Sequence, residues 1–80
     1  MEKKDILEKV LTLASEKLSA KRETISEKTK FDEDLSADSI DVTDFIMELE
    51  SEFDIVVDDD DIIGIRTIGD AADYIHERLT

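Results

Sequence analysis

The sequence contains no cysteine. That excludes disulfides, thiolate metal sites and an intrinsic thiol nucleophile. A single histidine, His76, excludes a multi-histidine metal site. Proline is absent, only two glycines occur and no repeat is present, so there is no obvious linker. Met1 is followed by Glu2-Lys3-Lys4-Asp5 rather than by an apolar signal run. No apolar stretch approaches the roughly 20 residues needed to cross a bilayer. A soluble, cytoplasmic protein without membrane insertion is therefore expected. Basic residues are also missing over a long interval, from Phe31 to Ile65.

What remains is 80 residues, enough for one domain spanning 1–80. A chain this short buries only about 60% of its unfolded surface, so its core is marginal. The net charge of −13 is unevenly spread. Residues 1–30 hold eight Lys/Arg against six Asp/Glu, and residues 31–80 hold two Arg against seventeen Asp/Glu. Such an acidic surface repels nucleic acid and anionic lipid, so no nucleic-acid partner is expected. It favours encounter with basic patches on other proteins. A merely solubilising face is the plainer alternative. Regular apolar spacing through the acidic half argues against a disordered tail.

Residues 3–18 read as an amphipathic helix, with Ile6, Val10, Leu13 (or Ala14) and Leu18 at helical spacing. Residues 19–38 hold few apolar side chains: Ile25, Phe31 and Leu35 are expected to plug a long loop into the core. Loops of this length in small domains are often functional. Residues 39–53 carry the strongest helix signal, an apolar stripe of Val42, Phe45, Ile46, Leu49 and Phe53. Asp38 suits its N-cap, with Asp41 as the reciprocal capping-box partner. Ile55-Val56-Val57 is read as a connector. Asp58–Asp61 start a short helix ending at Gly64, expected as a left-handed cap. Ile68, Ala71, Ala72, Ile75 and Leu79 form the stripe of a last helix, capped by Thr67 with Asp70. The expected fold is all-α: a four-helix bundle of three main helices plus one short helix, with a long loop between the first and second.

Ser39 stands between Asp38 and Asp41 at the start of the second helix. One reading is structural, a serine that only helps begin a helix. A hydrolase nucleophile fails, because there is no Gly-x-Ser-x-Gly elbow and no oriented base. His76, in the last helix beside Glu77 and Arg78, reads as a helix-surface residue. Two acidic stretches, Asp32–Asp34 and Asp58–Asp61, raise the question of calcium. Neither fits an EF-hand: a loop from Asp32 puts Ala37 and Thr43 at key positions, and one from Asp59 puts Ile63 at a ligand position. No metal site is expected.

A third reading of Ser39 comes from the wider pattern. Asp34-Leu35-x-Ala37-Asp38-Ser39-x-Asp41, then Met47-x-Leu49-Glu50-x-Glu52-Phe53-Asp54, resembles the acyl carrier proteins. The likeness runs from Ile6 to Leu79. It implies a carrier, not an enzyme, of the stand-alone type. A transferase would attach 4′-phosphopantetheine from coenzyme A to Ser39, making a phosphoprotein whose thiol carries acyl groups as thioesters. The thiol missing from the sequence would then come from the cofactor. The resemblance also implies that Asp38 helps position magnesium for the transferase. Fatty acid biosynthesis is the expected pathway; a polyketide, modified-lipid or aminoacyl carrier is the alternative, and an unmodified acidic helical interaction module a more distant one.

In this reading Asp41, Asp44, Glu48 and Glu52, three or four apart, form a docking face. Ile40 and Met47 lie beside it as apolar contacts. The partners expected are the phosphopantetheinyl transferase and acyl-processing enzymes with basic patches, visited by a monomer. The acyl chain is expected between the second and third helices, lined by Phe45, Ile46, Ile62 and Ile68. Some positions depart from the family pattern. Ile40 replaces leucine, Ser36 replaces a common glycine, Thr43 and Glu48 stand for valine and alanine, and Asp58 stands for proline. A left-handed backbone at Ser36 would cost more than at glycine.

Overall fold

The computed structural model describes residues 2–79. Its helices are α1 (Lys3–Lys17), α2 (Ser39–Phe53), α3 (Asp59–Ile62) and α4 (Ile68–Leu79), with one 3-10 turn at Arg22–Thr24. Among the described residues there is no strand, only an isolated bridge between Lys30 and Thr67. The all-α expectation holds, and Ile55–Val57 is a connector.

The first helix packs most extensively on α4 and less on α2. It buries Ile6, Val10, Leu11 and Ala14. Leu13 is only half-buried. Two neighbours demand a wider apolar stripe than the sequence reading drew, and Leu11 supplies it. The second helix spans residues 39–53 as expected, and it buries Phe45, Ile46, Leu49 and Phe53. Each such burial contributes about 1.5–3 kcal/mol. Phe31 enters from the long loop and meets Phe45 with ring centroids 5.6 Å apart and tilted. Ile25 and Phe31 are buried and Leu35 is half-buried, so all three plugs sit as expected.

The loop is fastened to the start of α4 by backbone bonds. Ile68 N–H donates to the Thr29 carbonyl at 3.0 Å, and Gly69 N–H donates to the Glu27 carbonyl at 2.8 Å. The loop thereby satisfies donors that a helix start leaves free. Gly69 is needed for this approach, since a Cβ there would lie 2.8 Å from the Glu27 carbonyl oxygen. Thr67 and Asp70 complete the expected cap. Asp70 N–H donates to the Thr67 hydroxyl at 3.0 Å, and Thr67 N–H donates to the Asp70 carboxylate at 3.1 Å.

Gly64 departs from expectation. Neither glycine has a left-handed backbone; Ser19, Ser36 and Asp54 do. The third helix instead ends through Ile63 in ordinary right-handed geometry, with Gly64 N–H on the Asp61 carbonyl at 3.1 Å. A tight turn of this kind needs no positive φ.

No residue of α3 is buried. Polar contacts tie it to α4. Tyr74 hydroxyl donates to the Asp61 carboxylate at 2.8 Å, and the Arg78 guanidinium reaches Asp58 and Asp61 at 3.5 Å each. That guanidinium also lies 4.9 Å from the Tyr74 ring centroid. Desolvation, followed by the bond to Asp61, raises the Tyr74 phenol above its ordinary value of 10.0.

Candidate functional site: Ser39 and the cleft beside it

Ser39 is the first residue of α2, and it is exposed. The chain leading to it is held at several points. Lys30 N–H donates to the Asp34 carboxylate at 2.8 Å, and Ala37 N–H donates to the Phe31 carbonyl at 2.9 Å. Ser36 bends the backbone with φ 53°, the left-handed conformation that the sequence reading marked as costly without glycine. The capping box follows. Asp38 accepts from Asp41 N–H at 2.9 Å, and Asp41 accepts from Asp38 N–H at 3.3 Å. Thr43 hydroxyl donates to the Ser39 carbonyl at 2.7 Å. Among the described residues no base bonds the Ser39 hydroxyl, and His76 lies on α4.

Beside Ser39 opens a cleft of about 290 Å³. Phe31, Ala37, Val42, Ile62, Ile63 and Ile65 form its apolar wall; Asp32, Asp38, Ser39, Thr43 and Arg66 give it a polar rim. Its volume is near the lower bound for small-molecule sites. The four residues expected to line an acyl pocket divide here. Ile62 lines the cleft, whereas Phe45, Ile46 and Ile68 are fully buried in the main core. The α2 stripe faces the centre of the bundle, so it is the flank of that stripe, Val42 and Thr43, that meets residues 62–66. Phe31, Ala37, Val42, Ile63, Ile65 and Arg66 were not anticipated as lining. Val42 carried a signal, since it sits one turn after Ser39 on the edge of the stripe. Arg66 carried only its position as the first cation after Lys30.

The acidic face of α2 also divides. Ile40 and Met47 are 70% and 59% exposed, and Asp44 is exposed with them. Glu48 and Glu52 lean toward α1, where they meet Lys17 at 4.0 Å and Lys9 at 3.4 Å. Asp41 is occupied by the cap. Val56 and Ile63 add exposed apolar surface that the sequence reading did not single out.

An exposed hydroxyl at a helix start, beside an apolar cleft and without a base, suits the attachment of a group, as in a carrier domain, better than catalysis. The residues fit phosphopantetheine: an accessible hydroxyl, a helix N-terminus that tolerates a phosphate, and apolar space alongside. Comparisons with known proteins agree. The family described as a phosphopantetheine attachment site matches residues 8–75. The acyl carrier protein of Thermotoga maritima is 42% identical over 77 residues, covering 96% of this chain and 95% of that protein. That of Phenylobacterium zucineum is 45% identical over 75 residues, covering 94% and 95%. Among solved structures, the acyl carrier protein of Enterococcus faecalis matches with a TM-score of 0.81 at 35% identity, covering 98% of this chain and 99% of that one. The Thermotoga maritima crystal structure matches with a TM-score of 0.81 at 39% identity, covering 99% and 92%.

The chain belongs to the acyl carrier protein family. It is a carrier and not an enzyme, its cofactor is phosphopantetheine, and it presents acyl chains to enzymes. Among the described residues no helix is long and apolar enough to cross a membrane.

Proposed function

We propose that residues 1–80 form one carrier domain loaded at Ser39 and working in fatty acid biosynthesis in the cytoplasm as a monomer. The observation that carries the attachment point is the exposed Ser39 hydroxyl at the lip of an apolar cleft, with no base beside it. In loading, Ser39 Oγ forms a bond to the phosphorus that bears the pantetheine in coenzyme A. The pyrophosphate bond breaks, the adenine nucleotide leaves, and the hydroxyl proton passes to a base of the transferase. Asp38 is oriented by its cap bond and would help hold the magnesium of that enzyme. Once bound, the arm supplies a thiol for thioester chemistry.

Docking falls to the outer face of α2. Ile40, Asp44 and Met47 point away from the bundle, and Asp41, Glu48 and Glu52 form its acidic flank. Phosphopantetheinyl transferase and acyl-processing enzymes with basic patches fit this face, by weak, fast contacts that let a carrier leave. Acyl chains enter the cleft against Ile62. Chains too long for it would have to displace the core residues Phe45, Ile46 and Ile68.

Intact mass after incubation with coenzyme A and a phosphopantetheinyl transferase tests the attachment. A gain of one arm is expected, and Ser39→Ala abolishes it. No gain, or a gain that survives the substitution, removes the proposal. The thioester found on protein isolated from its source decides between fatty acid synthesis and a polyketide, modified-lipid or aminoacyl pathway. An aminoacyl or polyketide thioester as the main species would reject the first.

A further inference from the structure

Arg66 is the single basic residue lining the cleft. Its backbone is clamped from both sides. The Arg66 carbonyl accepts from Phe31 N–H at 3.0 Å, and Arg66 N–H donates to the Asp70 carboxylate at 3.1 Å. Its guanidinium, in contrast, makes no ion pair or hydrogen bond among the described residues. The other two arginines are engaged: Arg22 pairs with Glu8 at 2.7 Å, and Arg78 with Asp58 and Asp61. Lys21 and Lys28 also lack an ion pair among the described residues, but Arg66 alone of these cations lines the cleft. Two acids share its cleft, and each already serves the backbone. Asp32 accepts from Glu33 N–H at 2.7 Å, and Asp38 accepts from Asp41 N–H.

We propose that Arg66 receives an oxyanion in this cleft. The proposal rests on Ser39 as the attachment point. Two sources bring that chemistry there: the phosphodiester at the base of the arm, and the carboxylate of a short dicarboxylic acyl group at its end. A guanidinium grips either through two parallel N–H donors. It also offsets the Asp38 and Asp41 carboxylates, which oppose an anion at the start of α2. Because the site is open to water, the contact shifts the bound population by no more than about fivefold at low salt. The arm is thus biased toward the cleft and remains free to leave it.

Arginine side-chain NMR on apo, holo, acetyl-loaded and malonyl-loaded protein tests this. If the phosphodiester is the ligand, the Arg66 Nε–H resonance moves between apo and holo, and the shift fades at high salt. If the carboxylate is the ligand, the resonance moves with malonyl loading and not with acetyl. An Arg66 resonance unchanged in every loaded form overturns the proposal. For the phosphodiester arm, R66Q is expected to move the holo phosphorus resonance and R66K to restore it; for the carboxylate arm, R66Q removes the spectral difference between malonyl- and acetyl-loaded protein. An R66Q protein indistinguishable from wild type in both readouts also overturns it. Intact mass separates this from the underlying reading: R66Q still gains the arm at Ser39, whereas a wild-type chain that gains nothing rejects the attachment itself.

Discussion

The packed pair α1–α4 and the short helix α3 are held by different forces. Between α1 and α4, Ile6, Val10, Ile68, Ala72 and Ile75 are at most 1% exposed, and Lys3 pairs with Asp73 at the rim. That bond to Asp73 raises the Lys3 ammonium above its ordinary value. On the other side α3 buries nothing and leans on Tyr74 and Arg78 through its aspartates. Apolar burial is strong and non-directional, while exposed polar contacts are weak and screened. The carrier thus has a firm half that maintains the fold and, beside Ser39, a wall that only exposed polar contacts tether.

The comparison breaks most sharply at Phe31, which belongs to both halves as a core residue and as a wall of the cleft. Phe31→Ala is expected to cost about 3–5 kcal/mol. That is a large share of the roughly 5–15 kcal/mol typical of small domains. Chemical denaturation should show the midpoint collapse, while Ile63→Ala on the open wall leaves it nearly unmoved. Gly69→Ala comes next, since its Cβ would meet the Glu27 carbonyl. A loss of about 1–3 kcal/mol is expected from that overpacking, and amide exchange should rise in the 26–30 loop.

The two helix caps sharpen the comparison further. Thr67→Ala and Asp38→Ala each remove one cap bond and should cost about 1 kcal/mol. Only Asp38→Ala should also slow loading by the transferase, read as the rate of mass gain. Equal loading rates would leave Asp38 a purely structural residue. The smallest effect belongs to the α3 tether. The Tyr74 phenol is held above 10.0 in the folded chain. Its contribution is therefore complete below pH 10 and is lost as pH rises through the higher folded value. Tyr74→Phe should flatten the alkaline limb of a pH–stability curve and speed amide exchange in α3, with α1 unchanged.

How much of this was legible depended on the kind of interaction. The limits of α2 and its capping box could be read because periodicity and caps are local in sequence. Ser39 could be read because its neighbours are contiguous. Apart from Ile62, the lining of the cleft could not, since Phe31 and Arg66 meet it only after residues 27–31 pair with the start of α4. The face of α2 was half legible. Spacing put its acids on one side, but the pull of Lys9 and Lys17 on Glu52 and Glu48 depends on where α1 lies. Gly64 misled because a glycine after a helix usually signals a left-handed end, and this helix closes within a tight turn.

The left-handed positions Ser19, Ser36 and Asp54 all carry side chains. Glycine would relax each of them in the folded chain, yet it would also widen the set of conformations open to the unfolded one. With a core this small, a narrower denatured ensemble is itself a source of stability. The folded state bears the matching strain locally, and at Ser36 it does so three residues before the exposed Ser39 hydroxyl.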